Sequence, residues 1–173
     1  MDKVVALYAD GGVIGVNPSV TGGTYAWVAV DPEDHEVCYA SGIVLPDPDW
    51  PTISNNLTEL IAILEGLEAL GPDWTGTVYS DSQVTLGRVF TGWARKNVPP
   101  WANDRLNAII MQPAHRHRGY QLLQGHPTVA DLERGIGAKR GLPVSKWNVR
   151  CDDLCQEAPR KLMEQLVNNK EAV

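Results

Sequence analysis

Three short stretches of the chain each set an acid where a strand or helix can aim it. They are Tyr8-Ala9-Asp10-Gly11-Gly12, Asn55-Asn56-Leu57-Thr58-Glu59-Leu60 and Tyr79-Ser80-Asp81-Ser82-Gln83. A fourth, Asn148-Val149-Arg150-Cys151-Asp152-Asp153-Leu154, offers Asp152, with Asp153 as its neighbour and rival. Four carboxylates gathered without basic partners repel one another, and at neutral pH such a cluster needs divalent metal. Oxygen donors suit Mg²⁺, which keeps several waters of its own. The chain has no Gly-x-Ser-x-Gly elbow and no Cys/His pair in a supporting context. The chemistry indicated is therefore the binding of divalent metal by carboxylates rather than covalent catalysis by a side chain. Singly, each acid has a plainer explanation. Asp10 would be a strand-end turn residue, Glu59 a solvated helix residue and Asp81 a helix cap.

The elements that must position these acids follow from the hydrophobic pattern. Residues 3–9 form a continuous apolar run, as in a central strand covered on both faces. The glycine-rich stretch 11–24 is expected to be a loop, and 25–30 and 37–45 two further strands joined by a polar turn. Leu57, Leu60, Ile61, Leu64, Leu67 and Leu70 recur at helical spacing, and Gly71-Pro72 ends that helix. Glu59 falls on the flank of its apolar stripe. A strand over 76–80 leads into a helix from Asp81-Ser82 to about residue 93. A helix over 101–114, a strand over 119–123 and a short helix over 128–138 follow. The last helix starts near Asn148 and is expected to bury Cys151, Leu154, Cys155, Ala158, Leu162 and Leu166. Pro159 is expected to kink or interrupt it. Three leading strands followed by alternating strands and helices predict an α/β fold. Its five-stranded mixed sheet, a three-strand antiparallel meander plus two parallel strands, is flanked by helices.

The whole chain fits one domain over residues 1–173. Its 43% hydrophobic and 21% charged residues match an ordinary soluble protein. No window approaches the roughly 20 apolar residues of a membrane span, so no membrane is expected. No basic flank and apolar core of a signal peptide precede the first strand, and three scattered cysteines make no disulfide framework. Together these predict a cytoplasmic protein. The net charge of −6 at first argues against nucleic acid. It hides an asymmetry: residues 1–87 carry 13 acids against Lys3 alone (−12), and residues 88–173 carry 8 acids against 14 bases (+6). Either the basic half faces a phosphate backbone, or the two halves intermix on one solvated surface.

In this order, the motifs resemble the type 1 ribonuclease H family, over nearly the whole chain from Val4 to about Ala158. The resemblance rests on Tyr8 to Gly12 with Gly15, Asn17-Pro18 and Gly22-Gly23, and on Ser54 to Leu60. Tyr79 to Gln83, Leu122-Leu123-Gln124-Gly125-His126 and Asn148 to Leu154 complete it. It implies a Mg²⁺-dependent endonuclease that hydrolyses the RNA strand of RNA/DNA hybrids and leaves 5′-phosphates. It implies two Mg²⁺ ions per site, with Mn²⁺ as an alternative, no organic cofactor and a monomer. Asp10 would bridge both ions, Glu59 and Asp81 would hold the one on the leaving-group side, and Asp152 the one that activates water. His126 would assist proton transfer or product departure. Asn55, Asn56 and Gln83, with Gly11 beside them, would meet the minor groove of the hybrid, where 2′-hydroxyls mark the RNA strand. Asn17 and Ser54 would take a phosphate of the DNA strand.

The chain departs from the family in three places. Gly12 stands where Ser is usual. The basic segment between the middle helices is reduced to Arg95-Lys96. His126 and Asp152 are 26 positions apart, longer than usual, which makes residues 127–147 an extended insertion. It carries Arg134, Lys139, Arg140, Lys146 and Trp147, expected to act as a basic and aromatic arm against the nucleic-acid backbone. Two rivals remain: a DNA-acting nuclease or junction resolvase on the same fold, and a non-catalytic hybrid-binding module.

Overall fold

In the computed structural model, which describes residues 3–171, the first three strands form a meander. β1 (Ala6–Val13) pairs antiparallel with β2 (Gly23–Val30), and β2 with β3 (Glu36–Val44). After α1 (Asn55–Leu70), β4 (Thr77–Ser80) enters parallel to β1. α2 (Gln83–Phe90) and α3 (Pro100–Ile110) precede β5 (Gly119–Leu122), which pairs parallel with β4. α4 (Val129–Arg134) and α5 (Lys146–Glu171) close the chain. The sheet order is β3-β2-β1-β4-β5, the mixed five-stranded sheet that the sequence predicts.

Alternation along β1 divides the core. Leu7 and Ala9 face α1, α2 and α3 with Trp27, Ala29 and Val78. Ala6 and Tyr8 face α5 with Ala26, Val28, Cys151, Leu154 and Cys155. The two buried thiols are thus core residues, as their i, i+4 spacing suggests.

Gly11 and Gly12, expected in a loop, lie inside β1 opposite Tyr25 and Thr24. Hairpin pairing with β2 outweighs the weak strand preference of glycine. Gly11 continues the face of Leu7 and Ala9 toward α1. A methyl there would lie 2.5 Å from the Glu59 nitrogen and from the Thr58 carbonyl carbon. The bare backbone at Gly11 is what lets the first turns of α1 rest on the strand.

α4 stops at Arg134, short of the expected 138, because Gly135 turns the backbone left-handed at φ 75°. α5 starts two residues earlier than expected and runs unbroken through Pro159, so the expected interruption does not occur. Leu166 is 48% exposed rather than buried. Ala158, Lys161, Leu162 and Gln165 face residues of β3 across a shallow groove, and β3 is the edge of the sheet, so among the described residues no further strand covers Leu166.

The two charge halves intermix. Arg105 binds Glu65 and Glu68 at 2.8 and 2.7 Å, Lys146 binds Asp34 at 2.7 Å and Arg150 binds Glu36 at 3.2 Å.

Gly11→Ala must push α1 off β1. The expected loss is about 1–3 kcal/mol, typical of overpacking, seen as a lower Tm in thermal melts. Gly12→Ala, whose new methyl meets only Thr24 Oγ1 at 3.4 Å, is expected to melt close to the parent.

Candidate active site

Strand register brings the first two acids together. Tyr8 of β1 stands opposite Tyr79 of β4, and their rings stack at 4.6 Å. Asp10 and Asp81 each follow two residues later, so two parallel strands deliver them side by side above the tyrosine pair. Asp81 is free to face the centre because Ser82 caps α2, accepting from the Thr85 N–H at 3.2 Å. Glu59 arrives from the opposite face of the sheet, brought close by the contact of α1 with Gly11. Carboxylate oxygens of Asp10, Glu59 and Asp81 all lie within 4.8 Å of one another.

Asp10 is 6% exposed and Glu59 and Asp81 are half-buried. Among the described residues no Lys or Arg forms an ion pair with any of the three. The electrostatic result is large. Burial, then Asp81 and Glu59, push the Asp10 carboxyl up to about 9. Burial above all pushes Glu59 up to about 7, opposed by a hydrogen bond with Ser82 and helped to a smaller extent by Asp81. Asp81 is raised chiefly by burial, with Asn148 and His126 opposing. These groups fit a divalent cation, which would replace the protons they otherwise hold.

Asp152 stands slightly apart. It lies outside the 4.8 Å cluster but lines the same cavity of about 220 Å³ with Asp10, Asp81, His126, Asn148 and Val149. Asp153 points to solvent instead. His126 projects from the turn after β5, its Nδ1 3.9 Å from Asp152 Oδ2 and its side chain 84% exposed. Gly125 lets that turn pass the centre, since a methyl there would meet Asp81 Oδ2 at 2.6 Å.

Asn148 had no role assigned from sequence. It is 2% exposed, and its Nδ2 donates to Asp81 Oδ2 at 3.4 Å. The signal was its i, i+4 relation to Asp152, which puts both on one face of α5.

The expected nucleic-acid contacts flank the acids. Asn56 and Gln83 are exposed on the first turns of α1 and α2. Ser54 caps α1, accepting from the Leu57 N–H at 3.2 Å, and Asn17 Oδ1 accepts from the Asn55 N–H at 3.1 Å. The Asn55 side-chain oxygen is buried. Asn17, Ser54 and Asn56 line a cleft of about 600 Å³ with Trp50, Arg88 and Lys96. Lys139 and Arg140 are exposed on the turn beyond α4. Lys146 and Trp147, expected in a basic and aromatic arm, have a protein partner in Asp34. Asp34 takes both the Lys146 ammonium and the Trp147 Nε1–H, the latter at 2.6 Å, and Trp147 packs against the core under α5.

With this geometry in hand, comparison with known proteins places the chain. It is 30% identical over 162 residues to the ribonuclease H of Chlorobium phaeovibrioides, covering 93% of this chain and 99% of that protein. The chain belongs to the ribonuclease H family. The ribonuclease H of Syntrophus aciditrophicus is 32% identical over 157 residues, covering 90% of this chain and 80% of that one. Among solved structures, RNase H1 of the halophilic archaeon Halobacterium salinarum superposes with a TM-score of 0.61 at 20% identity, over 91% of this chain and 98% of that one. LC11-RNase H1 in complex with an RNA/DNA hybrid matches with the same score, identity and coverage. These two likenesses show the shared fold. No family model matches the chain.

The raised acids set the pH dependence of metal-free stability. A group whose folded pKa is raised stabilises fully at low pH, and that contribution is lost as pH rises through the folded value. In EDTA the Tm is therefore expected to fall as pH climbs from about 4, the Glu59 part of the decline levelling off near 7 and the Asp10 part near 9. Asp10→Asn should flatten the decline. Mg²⁺ should lift the Tm more at pH 9 than at pH 6. Thermal melts across pH with and without Mg²⁺ check all three.

Proposed function

We propose that the chain is a single-domain, monomeric, cytoplasmic endoribonuclease that hydrolyses the RNA strand of RNA/DNA hybrids and leaves 5′-phosphates. The observation that carries this is the convergence of Asp10, Glu59 and Asp81 within 4.8 Å, with no Lys or Arg paired to them among the described residues, in a chain of this family. Asp10, Glu59, Asp81 and Asp152 would hold two Mg²⁺ ions, or Mn²⁺ in their place. When bound, the ions supply charge relief for the attacking water and for the departing 3′ oxygen. Asp10 belongs to the cluster with Glu59 and Asp81 and also lines the cavity with Asp152, so it is an acid that could serve both positions.

Asn148 keeps Asp81 turned toward the centre. His126, exposed at the rim and close to Asp152, can carry a proton between the site and solvent or escort the product out. The exposed amides of Asn56 and Gln83, on the helices that carry or follow Glu59 and Asp81, can donate to and accept from 2′-hydroxyls. Asn55 joins them through its amide nitrogen. Gly11 sets the depth of α1 rather than offering a side chain. Asn17 and Ser54 line the cleft in which a DNA-strand phosphate would sit. Lys139 and Arg140 supply the backbone contact expected of the insertion, while Lys146 is engaged by Asp34. That pair is exposed, so a phosphate could displace it only at the expense of the Asp34 contact.

Labelled RNA/DNA, DNA/DNA and RNA/RNA duplexes with Mg²⁺ decide the substrate. Cleavage confined to the RNA of the hybrid, abolished by EDTA and by Asp10→Asn, is the expected result. Cleavage of DNA/DNA alone, or tight binding to the hybrid with no cleavage, would overturn it.

The insertion generates a separate expectation. Lys139→Ala with Arg140→Ala should weaken hybrid binding and make the plot of log K against log salt shallower by about 2, roughly one per lost phosphate contact. Lys146→Ala should change the slope much less. Binding titrations at several salt concentrations read both.

A further inference from the structure

Residues 127–145 are organised around one buried carboxylate. Asp131, 4% exposed, sits in the first turn of α4. Its Oδ2 accepts from the Thr128 N–H at 3.1 Å and from Gln124 Nε2 at 3.3 Å. Its Oδ1 accepts from Arg134 Nη2 at 2.6 Å and from the Ala138 N–H at 3.2 Å. Gln124 and Thr128 are the two ends of the turn that carries Gly125, His126 and Pro127. A single oxygen therefore ties both ends of the histidine turn together. The Gln124 N–H also donates to the Pro143 carbonyl at 2.9 Å, which fastens the far end of the insertion to the same point. His126 itself has φ 47°, a left-handed conformation that a non-glycine residue keeps only where its surroundings hold it. Its imidazole is almost fully exposed, so packing of the ring does not supply that hold.

We propose that Asp131 is a positioning residue for the reaction: it staples the turn between Gln124 and Thr128 and so fixes His126 at the rim of the acidic centre. The inference rests on the role given to His126 above. It gives the insertion a second purpose beyond its basic side chains. All four partners of Asp131 are donors. Asn at this position would keep the size but turn one acceptor into a donor facing donors.

Asp131→Asn and Gln124→Met, each in the wild-type and the His126→Ala background, test this on an RNA/DNA hybrid with Mg²⁺. Asp131→Asn is expected to lower kcat about tenfold with KM held within about twofold, part of the 10²–10⁴ that a positioned acid or base contributes. Gln124→Met should lower kcat less. In the His126→Ala background neither should lower kcat further. Amide hydrogen exchange at residues 124–128 should speed up about tenfold or more in Asp131→Asn. That readout does not depend on activity. Unchanged exchange, or an equal kcat loss in both backgrounds, would overturn the proposal. A His126→Ala variant with wild-type kcat would remove the role of His126 and the proposal with it, whatever the exchange shows. If Asp131→Asn does not fold, Gln124→Met, which removes one of the four bonds, carries the same comparison.

Discussion

The carboxylates of Asp10, Glu59 and Asp81 stand within 4.8 Å of one another in a half-dry pocket, and among the described residues no Lys or Arg pairs with them. Two such charges repel by on the order of 3 kcal/mol at an effective dielectric near 20. The fold holds them there against that repulsion. Parallel register between β1 and β4 sets Asp10 beside Asp81, the tyrosine stack fills the space beneath, and the glycine at position 11 lets α1 bring Glu59 from the other face. Each device is structural, and each acts against the electrostatic preference of the unliganded protein. Protons relieve the strain in the unliganded protein, and divalent cations would do so in their place. This is how the architecture and the chemistry of the site are joined.

The periphery is built differently. The first turns of α1 and α2 present Asn56 and Gln83 within a few residues of Glu59 and Asp81, and Ser54 and Ser82 cap those same helices. Caps that satisfy helix ends therefore also fix where the flanking amides stand. Asn148 and Asp152 share one face of α5, which seats itself on the sheet through Cys151, Leu154 and Cys155. The acid from the last helix thus inherits its position from the core beneath it.

Much of this was legible in the sequence, for identifiable reasons. The apolar spacing of Leu57 through Leu70 fixes the orientation of α1 and places Glu59 on its flank. The acids stand at element ends, where local motifs are short and distinctive. Pairing was less legible. Gly11-Gly12 looks like loop until β2 is seen opposite. The insertion was the hardest part, because its order comes from one Asp in a six-residue helix rather than from any periodic pattern. Its basic and aromatic residues suggested an arm against the nucleic-acid backbone, and nothing local announced that Asp34, 112 positions before Lys146 in the chain, holds Lys146 and Trp147. Contacts of that range leave no local trace. The exposed end of α5 misled for the opposite reason: its periodicity persists past Leu162 although the sheet does not.

The central claim is that the buried acids share divalent cations. Anomalous diffraction from crystals soaked in Mn²⁺ tests it most directly. The account predicts ion density among Asp10, Glu59 and Asp81, with a second ion toward Asp152. Crystals saturated with Mn²⁺ that show density only elsewhere, or none at these side chains, would contradict it.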